Sequence, residues 1–368
     1  LLFQIQTVGR AANSMSVLPY GIATEKGPKQ SQEVRYMTPD DAYFIGAFRG
    51  DRLTLNGFTG PSSSSMDEYA GCFGVFDGHG GDRASRYCAE FAFPKIRANL
   101  ATLQQCKVAS SGSTDPLADT DDAVLPHVLR QSILDLVSYR YPSSSMVDAE
   151  FCDRSGANLR FGKASGNTKY PLCGIEDGST LVLAMIRRHK LYVVNVGDSR
   201  AVLCHVAPSG TYKATALTTD HKPDLPAERA RIQANGGTIT GLVCGHKPPE
   251  FALHMWPFNR LVDVPRVDGV LSMTRAMGDV TMKPPLSAEP DVVVHALDAI
   301  SDKFLILASD GLWDVVSNKK AAKVALSSPS AQAAAAALCK LAMKRGTHDN
   351  VTVLVVDLAR FMHTTKLE

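Results

Sequence analysis

The chain has 368 residues, a formal net charge of +2, and a composition that is 45% hydrophobic and 21% charged. This balance is typical of a globular chain that buries a large core, and it excludes disordered and collagen-like classes. Because so small a net charge does not attract polyanions, we expect neither a nucleic-acid partner nor a membrane partner.

The cysteine pattern and the first residues bear on the compartment. The 8 cysteines are scattered and form no Cys-x-x-Cys pair. This argues against a zinc site and a disulfide scaffold, and it favours a reducing compartment, the cytoplasm or the nucleus. Residues 1–8 contain two glutamines and no basic segment, so they do not resemble a secretory signal peptide. The first residue is not Met, so a targeting segment could precede it. Nothing in the sequence requires more than a monomer.

The first predicted elements are an edge strand and an acidic turn. Residues 20–29 are expected to form the edge strand and a Gly-Pro turn. Asp40 and Asp41 then lead directly into an apolar run at 42–48. Taken alone, this acidic pair is an ordinary Pro-Asp turn before a strand.

The next strand, at 69–76, ends in a turn that carries Asp77 and His79 among three glycines. The glycines let the backbone turn sharply and bring its carbonyl groups close to a ligand or an ion. A core histidine would sit among large apolar neighbours, so His79 indicates a functional turn. The helix that follows is predicted at 83–103, with a kink or break at Pro94.

Loops rich in Ser, Gly and Asp interrupt the chain without marking a second core. We therefore predict an N-terminal extension at 1–19 and a single domain at 20–368. The inserted segments are expected near 48–70, 104–124 and 140–170, with a surface flap near 238–267. Between two of these loops, the apolar spacing at 125–139 predicts an amphipathic helix.

The middle of the chain is predicted to be an antiparallel meander. Strand-like runs at 179–186 and 190–196 surround a charged turn, and a polar turn at 197–200 leads to a third run. A short helix is expected at 226–235, where two glycines end it.

Two late strands repeat the pattern of an apolar run beside an aspartate. The run at 304–308 ends at Asp310, and Asp349 opens the run at 351–356. Two helices are predicted between them, at 315–326 and 330–344.

The aspartates at strand ends indicate a site for hard cations. They are Asp40 with Asp41, Asp77, Asp310 and Asp349. An unpaired charge at the end of a buried strand is costly, so these side chains should bind an ion. Carboxylate ligands without a Cys/His cluster favour Mg²⁺ or Mn²⁺, with water completing the shell. Two such ions can lower the pKa of a water held between them and direct it at a phosphorus centre.

Two further residues suit phosphate chemistry. His79, close to Asp77 in sequence, could protonate the leaving oxygen as a general acid. Arg35 is the nearest candidate for a cation that offsets the charge of the phosphate. The alternative is that each aspartate is only a turn residue, which explains any one of them well and all of them poorly.

Seven motifs occur in a specific order along the chain. They are Val75-Phe76-Asp77-Gly78-His79-Gly80-Gly81, Asp177-Gly178-Ser179-Thr180, Val196-Gly197-Asp198-Ser199-Arg200-Ala201, Asp220-His221-Lys222-Pro223, Thr274-Arg275-Ala276-Met277-Gly278-Asp279, Asp310-Gly311-Leu312-Trp313-Asp314 and Asp349-Asn350. This set resembles the motifs of the metal-dependent Ser/Thr protein phosphatases of type 2C, the PPM family. The resemblance spans roughly residues 20–358, and an ordered set of this kind is highly specific.

The resemblance implies an α+β fold, an αββα sandwich of two antiparallel sheets flanked by helices, with the metals at one edge. It also implies hydrolysis of phosphoserine and phosphothreonine in protein substrates. The attacking group would be a hydroxide bound between two divalent metal ions, Mg²⁺ or Mn²⁺, without a phosphoenzyme.

The resemblance also implies roles for individual residues. Asp77 would bridge the two metals, and the Gly78 carbonyl would bind one of them directly or through water. Asp310 and Asp349 would hold the first metal. The pair Asp40 and Asp41 would serve the second metal, Asp314 would join a weaker third site, and His79 would be the general acid.

The chain departs from the family pattern in three places. Its first motif is Pro39-Asp40-Asp41, where the family often has Met-Glu-Asp. Arg35 stands one residue further from the acidic pair than the family's arginine, which keeps Lys29 as a rival phosphate-binding residue. The partner of Asp314 at the third site is open between Asp177 and Glu176.

Two other function classes remain as alternatives. A catalytically silent, phosphatase-like binding module would be marked by loss of a metal aspartate, and Asp77, Asp310 and Asp349 are all present. A nuclease that uses two metal ions would need a basic groove, which the net charge does not support.

Overall fold

The computed structural model describes residues 20–25, 44–48, 69–81, 83–111, 121–137, 177–187, 189–241 and 264–364. The predicted extension at 1–19, the loop near 140–170, and most of the loop near 48–70 and of the flap lie outside these residues.

Two five-stranded antiparallel sheets form the centre of the fold. The first sheet has the order β1 (Tyr20–Glu25), β15 (Val351–Asp357), β14 (Asp302–Ala308), β8 (Arg200–Val206) and β9 (Tyr212–Ala216). The second sheet has the order β13 (Asp291–Ala296), β7 (Lys190–Val196), β6 (Leu181–Arg187), β3 (Tyr69–Phe76) and β2 (Phe44–Phe48). The predicted edge position of the first strand is confirmed, because β1 pairs only with β15 within the described parts of the chain.

Two smaller sheets lie outside this pair. One contains β12 (Met277–Gly278), β5 (Gly178–Ser179) and β4 (Gly78–His79), in that order. The other pairs β10 (Ile239–Thr240) with β11 (Arg266–Val267).

The helices are α1 (Arg83–Ser111), α2 (Asp121–Val137), α3 (Pro226–Ala234), α4 (Asp310–Trp313), α5 (Asn318–Leu326), α6 (Ala331–Lys344) and α7 (Leu358–Thr364). A short 3-10 helix occupies Val280–Met282. None of the helices in the described ranges is long and apolar enough to cross a membrane.

The core has three apolar layers, and the alternation of side chains along the strands produces them. In β6, Val182 and Ala184 pack against the first sheet, whereas Leu183 and Met185 pack against α1 and α2. Successive side chains of a strand point to opposite faces, so a strand that is apolar throughout can serve both layers. Each large side chain buried in this way contributes about 1.5–3 kcal/mol.

The outer face of the first sheet is covered by α5 and α6. Small alanines of these helices, such as Ala322 and Ala334, are buried with Ile306 and Val353 from the strands. The order of layers is therefore helices, second sheet, first sheet, helices. The predicted αββα sandwich is confirmed.

The helices differ from their predicted bounds where packing outweighs local propensity. Helix α1 runs through Pro94 without a break and continues to Ser111, into the segment predicted as a loop. Its apolar face, which includes Ala92 and Ile96, is buried against the second sheet, and this burial offsets the hydrogen bond that proline cannot make. The helix predicted at 315–326 begins only at Asn318, since Ser317 caps it by accepting from the Lys320 amide.

The predicted meander is antiparallel but does not stay in one sheet. Strands β6 and β7 pair with each other in the second sheet, whereas β8 pairs with β14 and β9 in the first sheet. The polar turn between β7 and β8 therefore crosses from one sheet to the other. This crossing places the acidic residue of the turn, Asp198, between the two sheet edges.

Candidate active site

The strand ends that carry aspartates meet at one edge of the sandwich, which we call the acidic edge. Within the first sheet, Ala308 is paired with both Arg200 and Val353, so the end of β14 lies beside the starts of β8 and β15. Asp310 follows β14 and Asp349 precedes β15. In the second sheet, β3 ends and β6 begins at the same edge, where Asp77 follows β3.

Hydrogen bonds join Asp77 to the turn that crosses between the sheets. The Asp77 amide donates to Thr180 Oγ1 at 3.1 Å, and the Thr180 amide donates to the Asp77 carbonyl at 2.8 Å. The hydroxyl of Thr180 lies 2.7 Å from that of Ser199, the neighbour of Asp198. The aspartates of the two sheets therefore belong to one connected site.

The ends of β14 and β15 are held together by a serine. The Ser309 amide donates to the Thr352 carbonyl, and the Thr352 amide donates to Ser309 Oγ, both at 3.1 Å. The glycine after Asp310 allows α4 to start directly against this turn, since a Cβ on Gly311 would overlap the Asn350 carbonyl. This close approach brings Asp310 and Asp349 side by side.

The carboxylates at this edge repel one another. Burial raises the pKa of Asp310 well above its ordinary value, and the charges of Asp198, Asp314 and Asp349 raise it further. Loss of hydration also raises the pKa of Asp314, as do the charges of Asp198, Asp349 and Asp220. Because Asp314 is exposed, solvent screens these charges more strongly there than at Asp310. Such a concentration of negative charge needs a cation to offset it.

A lysine side chain lies among the carboxylates of this edge. Lys222 Nζ lies 2.6 Å from Asp198 Oδ2, and the Asp198 side chain is only 1% exposed. Desolvation lowers the pKa of Lys222, but the nearby carboxylates raise it by more, so it stays charged. The other carboxylate oxygen of Asp198 is buried and has no hydrogen-bond partner among the described residues.

A histidine–aspartate pair lies beside the acidic edge. His79 Nε2 is 2.7 Å from Asp279 Oδ2. The small sheet positions both residues, because β4 and β12 flank β5 and the Asp279 amide donates to the Asp177 carbonyl at 3.0 Å. Only glycine fits between them at Gly178, where a Cβ would overlap both side chains. The Asp279 carboxylate therefore fixes the orientation of the imidazole ring.

A buried glutamate anchors the segment that leads to Asp279. Glu228 of α3 accepts hydrogen bonds from Arg231, Thr274 and Arg275 at 2.6–3.1 Å. Desolvation alone would raise its pKa, but these donors lower the pKa of Glu228 to about 2. Arg275 also pairs with Asp291 of β13 at 2.9 Å. The chain just before Asp279 is thus tied to both a helix and a strand.

The structure brings together six of the nine predicted site residues. His79, Asp77, Gly78, Asp310, Asp314 and Asp349 lie at or beside one edge of the sandwich. The other three, Arg35, Asp40 and Asp41, lie outside the described residues, as do Lys29 and Glu176. Asp177 is buried on the histidine side of the site, where its carboxylate lies against Gly81.

Sequence reasoning placed Asp198 and Asp279 within its motifs but assigned neither of them a role in the site. Asp198 follows the apolar strand β7 just as Asp77 follows β3, so the same strand-end signal could have found it. Its Ser and Gly neighbours instead favoured a simple turn. For Asp279 no local signal exists, because its partner His79 is 200 residues away in the chain.

The oxygen ligands at this edge fit a hydrated hard cation. Within the described ranges, no three His, Cys, Asp or Glu side chains are grouped closely enough to hold a metal by themselves. Mg²⁺, however, usually keeps several waters and takes only one or two carboxylates. The clustered aspartates and the buried, unpartnered oxygen of Asp198 are suitable donors for such an ion.

The chain is similar to protein phosphatases of type 2C. The family model described as protein phosphatase 2C matches residues 163–351. The probable protein phosphatase 2C 7 of Oryza sativa subsp. japonica is 33% identical over 346 residues, which cover 92% of this chain and 72% of that protein. Protein phosphatase 2C 50 of the same plant is 35% identical over 310 residues, covering 78% of this chain and 68% of that protein.

A solved structure agrees with the fold. The crystal structure of serine-threonine phosphatase 2C from Toxoplasma gondii superposes with a TM-score of 0.55 at 24% identity, covering 91% of this chain and 98% of that chain. Fold and sequence thus define a phosphatase of the 2C class. The chain belongs to the protein phosphatase 2C family, which confirms the predicted family and the predicted enzyme class, a protein serine/threonine phosphatase.

Proposed function

We propose that this protein hydrolyses phosphoserine and phosphothreonine in protein substrates with two divalent metal ions, Mg²⁺ or Mn²⁺, held at the acidic edge. The observation that carries the proposal is the convergence of Asp198, Asp310, Asp314 and Asp349 at the edge where the strands end, close enough for their charges to act on one another. Carboxylates gathered so closely, one of them fully buried, need a cation to offset their charge.

The aspartates would divide between the ions. In this proposal Asp77 would be a ligand of both ions, Gly78 would contribute its carbonyl oxygen, and Asp310 and Asp349 would hold the first ion. When bound, the ions would offset the phosphate charge and supply a nucleophilic water of lowered pKa, without the need for a phosphoenzyme.

The second ion and a weaker third ion would use other acids. Asp40 and Asp41 would serve the second ion. This is supported by the strand that follows them, because its first residue, Phe44, pairs with Phe76, the residue before Asp77. Asp314 would join the third site, and Asp198 is a better partner for it than Asp177, since the charge of Asp198 acts on Asp314.

His79 would give a proton to the leaving serine or threonine oxygen. An alkoxide is a poor leaving group, so a positioned acid is worth about 10²–10⁴-fold in rate. Asp279 would hold the imidazole in position for this transfer, as its contact of 2.7 Å suggests. Arg35, or Lys29 in its place, would bind the phosphate oxygens.

Two further parts of the proposal concern the whole protein. We expect a monomer in which residues 20–368 form one domain, and we expect it in the cytoplasm or nucleus. The compartment is supported by Cys72, Cys204 and Cys339, which are free thiols.

The first test is metal-dependent release of phosphate from a phosphothreonine peptide. We expect release with Mn²⁺ or Mg²⁺ and none with excess EDTA, and re-addition of metal should restore it. A folded protein that releases no phosphate under any metal would contradict the proposal and would favour a silent binding module.

A further inference from the structure

The acidic edge contains an ammonium group that the proposed reaction does not use. We propose that Lys222 is a tethered counter-cation, which stabilises the edge without metal and weakens the binding of a divalent ion at Asp198. This inference rests on the proposed metal binding at the edge.

The two carboxylate oxygens of Asp198 have different surroundings. One carboxylate oxygen is 2.6 Å from Lys222 Nζ, whereas the other is buried without a hydrogen-bond partner in the described part of the chain. A buried carboxylate oxygen without a donor is costly, and it can be satisfied by an ion or by a water of its shell. Asp198 therefore has one lysine-bound oxygen and one free oxygen for an added cation.

The charge of Lys222 reaches the other acids of the edge as well. The charges of Asp310 and Asp314 act on Lys222. The positive charge of Lys222 in turn lowers the pKa of Asp310, against the effect of the neighbouring carboxylates. Without metal, the ammonium offsets part of the repulsion among the carboxylates. A divalent ion that binds near Asp198 lies close to the positive charge of Lys222. The repulsion between the two cations weakens the binding of the ion.

The backbone around Lys222 is fixed to the turn that carries Asp198. The His221 amide donates to the Gly197 carbonyl, and the Gly197 amide donates to His221 Nδ1, both at 3.0 Å. Asp220 forms two hydrogen bonds with Arg200, at 2.9 and 2.6 Å. Because both sides of the turn are held, the backbone of Lys222 stays close to Asp198 when an ion arrives.

The test compares Mn²⁺ binding by the metal-stripped full chain, measured by titration calorimetry, for wild type and Lys222→Met. We expect Lys222→Met to bind Mn²⁺ roughly tenfold more tightly at its weakest site, because a like charge is gone. Its melting temperature in EDTA should be lower, and the rise on adding Mn²⁺ larger. Lys222→Arg keeps the charge and Lys213→Met removes an exposed lysine of β9, so both should behave like wild type.

A second variant keeps the inference testable if Lys222→Met is poorly folded in EDTA. Asp198→Asn in the Lys222→Met background removes the acid that the extra affinity needs, so Mn²⁺ affinity should fall back at least to the wild-type value. Unchanged or weaker Mn²⁺ binding by Lys222→Met would overturn the inference, even if phosphatase activity persists. Tighter binding by a protein that releases no phosphate would contradict the proposed reaction and leave this inference standing.

Discussion

Replacing Asp310 by Asn should reduce phosphate release from a phosphothreonine peptide by at least about 10³-fold, because the metals supply both the nucleophile and the charge stabilisation. Asp310 is the most strongly perturbed acid of the edge, with Asp198, Asp314 and Asp349 all acting on it. Asn keeps the size of the side chain and removes the negative charge. The rate is measured with saturating peptide across a range of Mn²⁺ concentrations.

The loss of activity can be separated from loss of folding. Because neighbouring carboxylates repel the charge of Asp310, Asp310→Asn should melt no lower than wild type in EDTA. Asp298→Asn is a matched control, since Asp298 is exposed and precedes β14 at the opposite edge. It should leave the rate unchanged. A full rate in Asp310→Asn, or an equal loss in Asp298→Asn, would show that this edge is not the catalytic centre.

The second large effect is expected at His79. His79→Ala should lower kcat by about 10²-fold or more for a phosphothreonine peptide, whose alkoxide leaving group needs a proton. An aryl phosphate has a good leaving group and should lose far less. The comparison of the two substrates in one assay therefore reports proton donation rather than general damage to the site.

A double-mutant cycle tests whether His79 and Asp279, which are in contact, act together. Asp279→Asn should reduce the rate in the same direction as His79→Ala but by less, because it removes only the orientation of the ring. If the two residues act as one unit, the double variant should be no slower than His79→Ala alone. Equal losses on aryl and alkyl phosphates, or additive losses in the double variant, would show that the pair has another role.

Strand-end aspartates could be predicted from sequence because two local signals coincide. An apolar run predicts a buried strand, and a carboxylate beside it needs a partner, so Asp77, Asp310 and Asp349 stand out individually. Their convergence at one edge follows from antiparallel pairing of the strands. The layer order was inferred from resemblance rather than from pattern.

The remaining features depend on contacts between distant parts of the chain. The crossing of the turn at Asp198 between sheets has no local signal, because β7 and β8 have the apolar pattern of a hairpin. The pairing of His79 with Asp279 and the anchoring of that segment by Glu228 join residues far apart in sequence. Strand β13 was not predicted. Its half-buried residues Val292 and His295 are separated by two exposed valines, so the strand has no regular alternation of buried and exposed positions.

The central claim is that divalent ions bind where the strands of both sheets end. The most direct measurement is anomalous diffraction from crystals grown with Mn²⁺. We expect peaks within coordination distance, about 2.0–2.6 Å, of carboxylate oxygens of Asp77, Asp310 and Asp349. An ordered edge without such peaks, or Mn²⁺ bound only elsewhere on the protein, would contradict the account.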